Sequence, residues 1–179
     1  HASWLAIKGG TPAGGHGHMD VGSFCYEAHG MRWIHDLGSD NYNMPGYFHG
    51  DRFQYYRLQN RSHNTLEING ALQNAKSEPC PIVDSSEDQN PFAKFDLTNA
   101  YAGQAAGVTR RASFDPKTGT AHIRDQIQKP RGKVVWRAFS DADCKILGDT
   151  VVLSKKGQSI RLKNLGKTGD WKLRAAKPP

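Results

Sequence analysis

Residues 108–127 read as two alternating runs of apolar and polar side chains joined by Asp115-Pro116-Lys117-Thr118-Gly119. Proline presets φ at the start of such a turn, and glycine accepts positive φ at its end. Period-two alternation then turns one face of each run toward a core. The same rhythm recurs along the chain, in short runs broken by Gly, Asn, Asp and Pro. It predicts strands at 4–8, 18–28, 31–36, 93–101, 108–114, 120–127, 134–139, 150–154, 159–163 and 171–174, with weak alternation at 52–58 and an apolar alternation over 61–70 that ends in Asn-Gly. His29-Gly30 predicts a hairpin turn, Asn69-Gly70 is a second such signal, and Gly148-Asp149 and Lys156-Gly157 separate later strands. Residues 75–89 read as a polar surface loop and 36–48 as a long irregular loop. No convincing helical periodicity competes, so the expected fold is all-β: an antiparallel β-sandwich of about ten or more strands. One such domain is expected over residues 1–179.

Composition narrows the function classes. The chain is 37% hydrophobic and 23% charged, enough for a core and for solubility, and no apolar run is long enough to span a membrane. No signal peptide is visible. Cys25, Cys80 and Cys144 lie far apart with no CxxC pair, which argues against a disulfide framework or a thiolate zinc site; all three are expected to be small, largely buried residues. The net charge of +7 is uneven: residues 1–90 hold 6 Lys/Arg against 10 Asp/Glu, and residues 91–179 hold 18 against 7. Basic residues that alternate with apolar ones, as in Val135-Trp136-Arg137-Ala138-Phe139, are what the wet face of a β-sheet contains. A nucleic-acid-binding role is therefore not expected.

The candidate chemistry begins at Gly14-Gly15-His16-Gly17-His18-Met19-Asp20. On an extended strand, residues i and i+2 share a face, so His16, His18 and Asp20 would project together and suit a metal or acid–base site. Asp36 closes the run Trp33-Ile34-His35-Asp36, and His63 precedes another strand. One HxH histidine with Asp36 and His63 would make a two-histidine, one-carboxylate set suited to zinc. The cupin pattern fails, because no Glu follows the HxH pair at the required distance.

Taken in order, Lys8-Gly9-Gly10, His16-Gly17-His18-Met19-Asp20-Val21-Gly22-Ser23-Phe24, Trp33-Ile34-His35-Asp36-Leu37-Gly38, Tyr42, Pro45-Gly46-Tyr47, Arg52, Tyr55-Tyr56-Arg57 and His63-Asn64-Thr65-Leu66, then Ile68-Asn69-Gly70 and Gln73, resemble the heparinase II/III-like family of polysaccharide lyases. The match is dense over residues 4–75 and looser beyond. It implies the C-terminal β-domain of a larger lyase whose N-terminal α/α toroid supplies the other wall of the cleft. It also implies β-elimination on uronic-acid-containing glycans, heparin/heparan sulfate-like or alginate-like, and a periplasmic or secreted location. By the same resemblance, His18, Asp36 and His63 are the zinc ligands, and His16 is the catalytic, cleft-facing histidine that helps neutralise the substrate carboxylate. Tyr42 and Asn64 fall at recurring family positions, which implies a substrate-binding role for them. Asp20 gives way to Asp36 on resemblance alone. The split between His16 and His18 strains the strand argument: either Gly17 kinks the strand, or the two rings diverge only at their tips. A metal that joins three segments suits structural support of the cleft wall. Since the family's base and acid belong to the toroid, residues 1–179 alone are expected to bind zinc but to be nearly inactive. The alternative is a non-catalytic carbohydrate-binding β-sandwich.

Overall fold

The structure, a computed structural model, describes residues 2–50, 52–166 and 172–177. The fold is the expected all-β antiparallel sandwich, with twelve strands in four sheets and no α-helix among the described residues. Strands β1 (Trp4–Ile7), β2 (Phe24–Ala28) and β3 (Met31–Ile34) form one sheet in that order, and β4 (Leu66–Ile68) pairs with β9 (Val134–Trp136). A third sheet runs β5 (Ile82–Ser86), β6 (Phe92–Asp96), β7 (Gly107–Asp115), β8 (Thr120–Gln128). The last is β10 (Asp143–Leu147), β11 (Thr150–Lys155), β12 (Gln158–Lys163). The chain divides into two compact units, His1–Phe139 with the first three sheets and Ser140–Pro179 with the last.

In the first unit Val21, Leu66, Ile68, Phe95, Leu97 and Val108 are buried in one apolar cluster. Strand β7 shows how the alternation works: Val108, Arg110 and Ala112 are buried, and the residues between them are not. Its turn to β8 is the expected one, with Gly119 at φ 71°. The β2–β3 turn likewise carries His29 and Gly30 at φ 55° and 71°.

Several local expectations are corrected. The second strand starts at Phe24, not His18. The glycines close turns instead: the Gly17 N–H donates to the Gly14 carbonyl (2.8 Å), and Ser23 N–H to Asp20 (2.9 Å). Residues 52–62 alternate weakly because they repeat every three residues, as 3-10 turns at Arg52–Gln54, Tyr56–Leu58 and Asn60–Ser62. Asn69-Gly70 is a left-handed pair (φ 53° and 70°) that makes the expected tight turn, with the Ala71 N–H donating to Ile68 O (3.0 Å) across an antiparallel bridge, but the turn carries only that one bridge and the strand partner of β4 is the distant β9. The run 93–101 stops as a strand at Asp96 and continues as a 3-10 turn, Thr98–Tyr101. Strand β5, read as loop, lies at a sheet edge with almost no buried side chain, so no apolar face marks it. Strand β10 likewise leaves no alternation in the sequence, since all its residues are exposed. Of the strand expected at 171–174, Trp171 lies outside the described residues and 172–174 have no regular structure. The three cysteines are free, but only Cys80 is buried and Cys144 is exposed.

Candidate metal centre and glycan site

The turns that replace the expected strand resolve the histidine problem. His16 and His18 are not on a pleated ribbon and have different surroundings. A Cβ at Gly17 would collide with the Pro12 carbonyl group, so glycine is the residue this crossing accepts. The segment after it is pinned by backbone bonds: Met19 N–H to Leu58 O (2.9 Å), Val21 N–H to Gln73 Oε1 (3.1 Å), and Gly22 N–H to Lys8 O (2.8 Å).

His18 lies half-buried beside fully buried His63, with ring centroids 5.3 Å apart. Burial lowers the His18 pKa, and nearby His63 lowers it further, so its imidazole is neutral and can ligate a metal. His63 follows the Asn60–Ser62 3-10 turn. Its Nδ1 lies 2.7 Å from Asp36 Oδ2, which also accepts from the Ser23 hydroxyl (2.9 Å). Asp36 Oδ1 accepts the Gly38 N–H (2.8 Å). Burial alone would raise the Asp36 pKa, but the His63 hydrogen bond and charge, with the Gly38 and Ser23 donors, hold it below the usual carboxylate value. Ionised Asp36 therefore accepts the Nδ1 proton of His63. The opposite nitrogen, His63 Nε2, is buried and has no hydrogen-bond partner among the described residues. Among the described residues His18, Asp20 and His63 present ligand atoms all within 4.8 Å of one another. Two imidazoles and a carboxylate, one nitrogen of which has no protein partner, fit a zinc-type ion.

Of the expected ligand set, the structure brings His18 and His63 together. Asp36 stands on the far side of the His63 ring, as a carboxylate that orients a ligating histidine does. Asp20, the first candidate on spacing, returns beside both histidines, with each oxygen 2.7 Å from Lys8 Nζ. A cavity of about 250 Å³ is lined by Lys8, Asp20, Ser23, Cys25 and Asp36, among others.

His16 is exposed and belongs to an aromatic cluster, with its ring 5.0 Å from Phe48 and 6.0 Å from Tyr42. Tyr42 and Phe48 are 51% and 43% exposed, too open for a core and suited to stacking on a sugar ring. Asn64 is different. It is fully buried, its amide donates to Phe24 O (2.7 Å) and His35 O (3.2 Å), and its Oδ1 accepts the Phe139 N–H (2.7 Å). Those bonds leave its side chain no free donor for a substrate; it ties together β2, the end of β3 and the chain after β9.

Two arginines were not singled out as site residues. Buried Arg52 donates to the Gly15 carbonyl (2.6 Å) and lies over the Phe53 ring, anchoring the His16 loop. Buried Arg110 grips Asp125 with two bonds (2.7 and 2.8 Å) and donates to the carbonyls of Gly22 (2.6 Å) and Asn64 (2.9 Å). It thus clamps both segments that carry the metal candidates. The signal for Arg110 was in the pattern: it takes an inward position between Val108 and Ala112, directly opposite Asp125.

A family model described as heparinase II/III-like, C-terminal, matches residues 1–178. No curated protein sequence matches the chain. Among solved structures, the crystal structure of heparinase III matches with a TM-score of 0.58 at 14% identity, covering 87% of this chain. At that identity the likeness speaks for the fold, and the chain spans 26% of the heparinase III chain. With the family model covering nearly every residue, this chain belongs to the heparinase II/III-like family, as its C-terminal β-domain.

Proposed function

We propose that this chain is the metal-bearing β-sandwich domain of a polysaccharide lyase that cleaves uronic-acid-containing glycans, heparin/heparan sulfate-like or alginate-like, by β-elimination. The observation that carries the reading is the divergence of His16 and His18. One histidine faces outward among exposed aromatics, and the other faces inward to a buried histidine with an unpartnered nitrogen.

In such an elimination the proton α to the uronate carboxylate leaves and the bond from the β-carbon to the glycosidic oxygen breaks. A double bond forms between the two carbons. Charge builds on the carboxylate in the transition state, and a cationic or hydrogen-bonding group there lowers the barrier. His16 is assigned that contact, with Tyr42 and Phe48 stacking on the sugar. The base, and the acid that protonates the leaving oxygen, are assigned to an N-terminal helical toroid of the same enzyme.

Zinc is the ion proposed for the inner cluster, where it would supply a fixed positive charge behind the cleft wall. His18, His63 Nε2 and Asp20 are the ligands this geometry supports, with Asp36 orienting His63. The family resemblance puts Asp36 in direct contact instead. Asp20→Asn and Asp36→Asn separate the two: the true ligand's variant loses stoichiometric metal, while loss of an orienting carboxylate weakens affinity about 10–100-fold. The periplasm or the cell exterior is the proposed location, as the polymeric substrate requires.

The functional test is the full-length enzyme on heparin, heparan sulfate and alginate, followed by unsaturated-uronate absorbance. Product that falls at least a hundredfold in His16→Ala supports the reading. Glycan binding without product from any of the three would instead support the carbohydrate-binding alternative, which the exposed Tyr42 and Phe48 favour.

A further inference from the structure

The second compact unit carries a feature that the metal centre and its loop do not use. Residues 140–179 contain 9 Lys/Arg and 4 Asp/Glu. The register of β10–β12 sorts these charges by face. Asp143↔Ser154↔Ser159, Lys145↔Val152↔Arg161 and Leu147↔Thr150↔Lys163 form three cross-strand rows on one side. Cys144↔Leu153↔Ile160 and Ile146↔Val151↔Leu162 form the rows of the other. Leu153 is 4% exposed, so the second set is the inner face and the first is the outer.

That outer face is basic and hydroxyl-bearing. Lys145, Arg161 and Lys163 are exposed. Among the described residues Lys145 and Arg161 have no ion-pair partner, and Lys163 has only a loose one to Asp149 (3.6 Å), both side chains being about half exposed. With neighbouring strands about 4.8 Å apart, Lys145 and Arg161 stand roughly 10 Å apart with Val152 between them. Beside their row, Asp143, Ser154, Lys155, Lys156, Gln158 and Ser159 line a shallow depression of about 370 Å³. Asp143 is the one acid there, and Lys155 is paired with Asp141 (2.6 Å).

We propose that this outer face of β10–β12 is a second glycan-holding surface, which binds an acidic polysaccharide chain through Lys145 and Arg161, with Ser154 and Ser159 offering hydrogen bonds to sugar hydroxyls. Charge complementarity selects a polyanion. The three rows carry no aromatic side chain, whereas single-stranded nucleic-acid surfaces interleave their basic residues with aromatic platforms for the bases. A glycan needs only the charges and the hydroxyl partners. The choice of a glycan rests on the function proposed above; the basic face itself does not.

The test uses the 179-residue chain and fluorescently labelled heparin, with anisotropy titrations across a salt series. Lys145→Glu/Arg161→Glu is expected to weaken binding at least tenfold at 0.1 M NaCl and to flatten the slope of log K against log salt by about two, the number of ionic contacts removed. Lys145→Gln/Arg161→Gln, which leaves the exposed face neutral, should move both readouts the same way by less. Unchanged heparin affinity in folded samples of both double variants would overturn the proposal, as would a wild-type chain that binds no heparin. Oligothymidylate bound as tightly as heparin would overturn the choice of a glycan. A failed lyase assay with these heparin results intact would sink the catalytic reading alone.

Discussion

Two residues apart, His16 and His18 belong to unlike environments. Around His18 the supports are bonded and, Asp36 apart, buried: Met19 and Val21 are held by their backbone groups, the partly exposed Asp36 by three donors, and Gly22 and Asn64 by one arginine. Around His16 the supports are exposed rings and one loop carbonyl held by Arg52. The inner side is built so that its groups cannot move. The outer side leaves faces open to a ligand. The two environments share one short peptide because a turn closes at Gly17, whose N–H donates to the Gly14 carbonyl, and because only glycine fits there against the Pro12 carbonyl before the chain runs on to His18.

The largest effect should come from Arg110. Arg110→Ala leaves the largely enclosed Asp125 without its guanidinium partner and removes the Arg110 donor from the carbonyls of Gly22 and Asn64, so urea unfolding should show a loss of about 3–5 kcal/mol. If the inner side were as loose as the outer one, the loss would stay below about 1 kcal/mol. Next comes the metal. At zinc a hundredfold above Kd the wild-type chain should gain about 2.7 kcal/mol over chelated protein, and His63→Ala should gain nothing. His16→Ala should keep both the zinc gain and the chelated stability, to within about 0.5 kcal/mol. A matching loss in His16→Ala would erase the distinction between the two histidines.

Gly17→Ala should cost about 1–3 kcal/mol, because the new methyl group meets the Pro12 carbonyl and the loop must shift. Metal analysis should show zinc retained if Met19 and Val21 hold their side independently. The smallest effect is on pH. The Asp36 pKa is lowered in the folded state, so its contribution is present above the ordinary carboxylate value and is lost as pH falls through the folded one. Metal-free protein should therefore weaken below about pH 4, and Asp36→Asn should flatten that part of an acid titration. An unchanged profile would mean that Asp36 gains nothing from His63.

How much of this was legible depended on what each residue packs against. The β7–β8 hairpin and the β2–β3 turn were readable because alternation and turn chemistry agree locally. The strand assigned to 18–28 failed at its start because Val21 and Met19 are buried by turns, and apolar content alone does not distinguish a buried turn from a strand. Strands β5 and β10 bury too little to leave a pattern. For the site, His18 and His63 were accessible from ordered motifs. The place of Asp36 on the Nδ1 side of His63, the buried role of Asn64 and the Arg110 clamp all depend on side chains that meet across 27 to 88 residues. No local window contains such contacts.

The pairing of β4 with β9 also has a consequence in time. Leu66 bonds opposite Trp136, Arg137 N–H donates to Thr65 O (3.3 Å), and Phe139 closes on Asn64, so the chain flanking His63 is completed by residues some seventy positions later. Contacts of that sequence separation form slowly, since a long loop must close before they return any energy. At a synthesis rate of about 5–20 residues per second, His63 waits several seconds on the ribosome before its neighbours exist. The zinc proposed for His18 and His63 would then be captured late in the life of the nascent chain, and its occupancy would report that the first unit has closed.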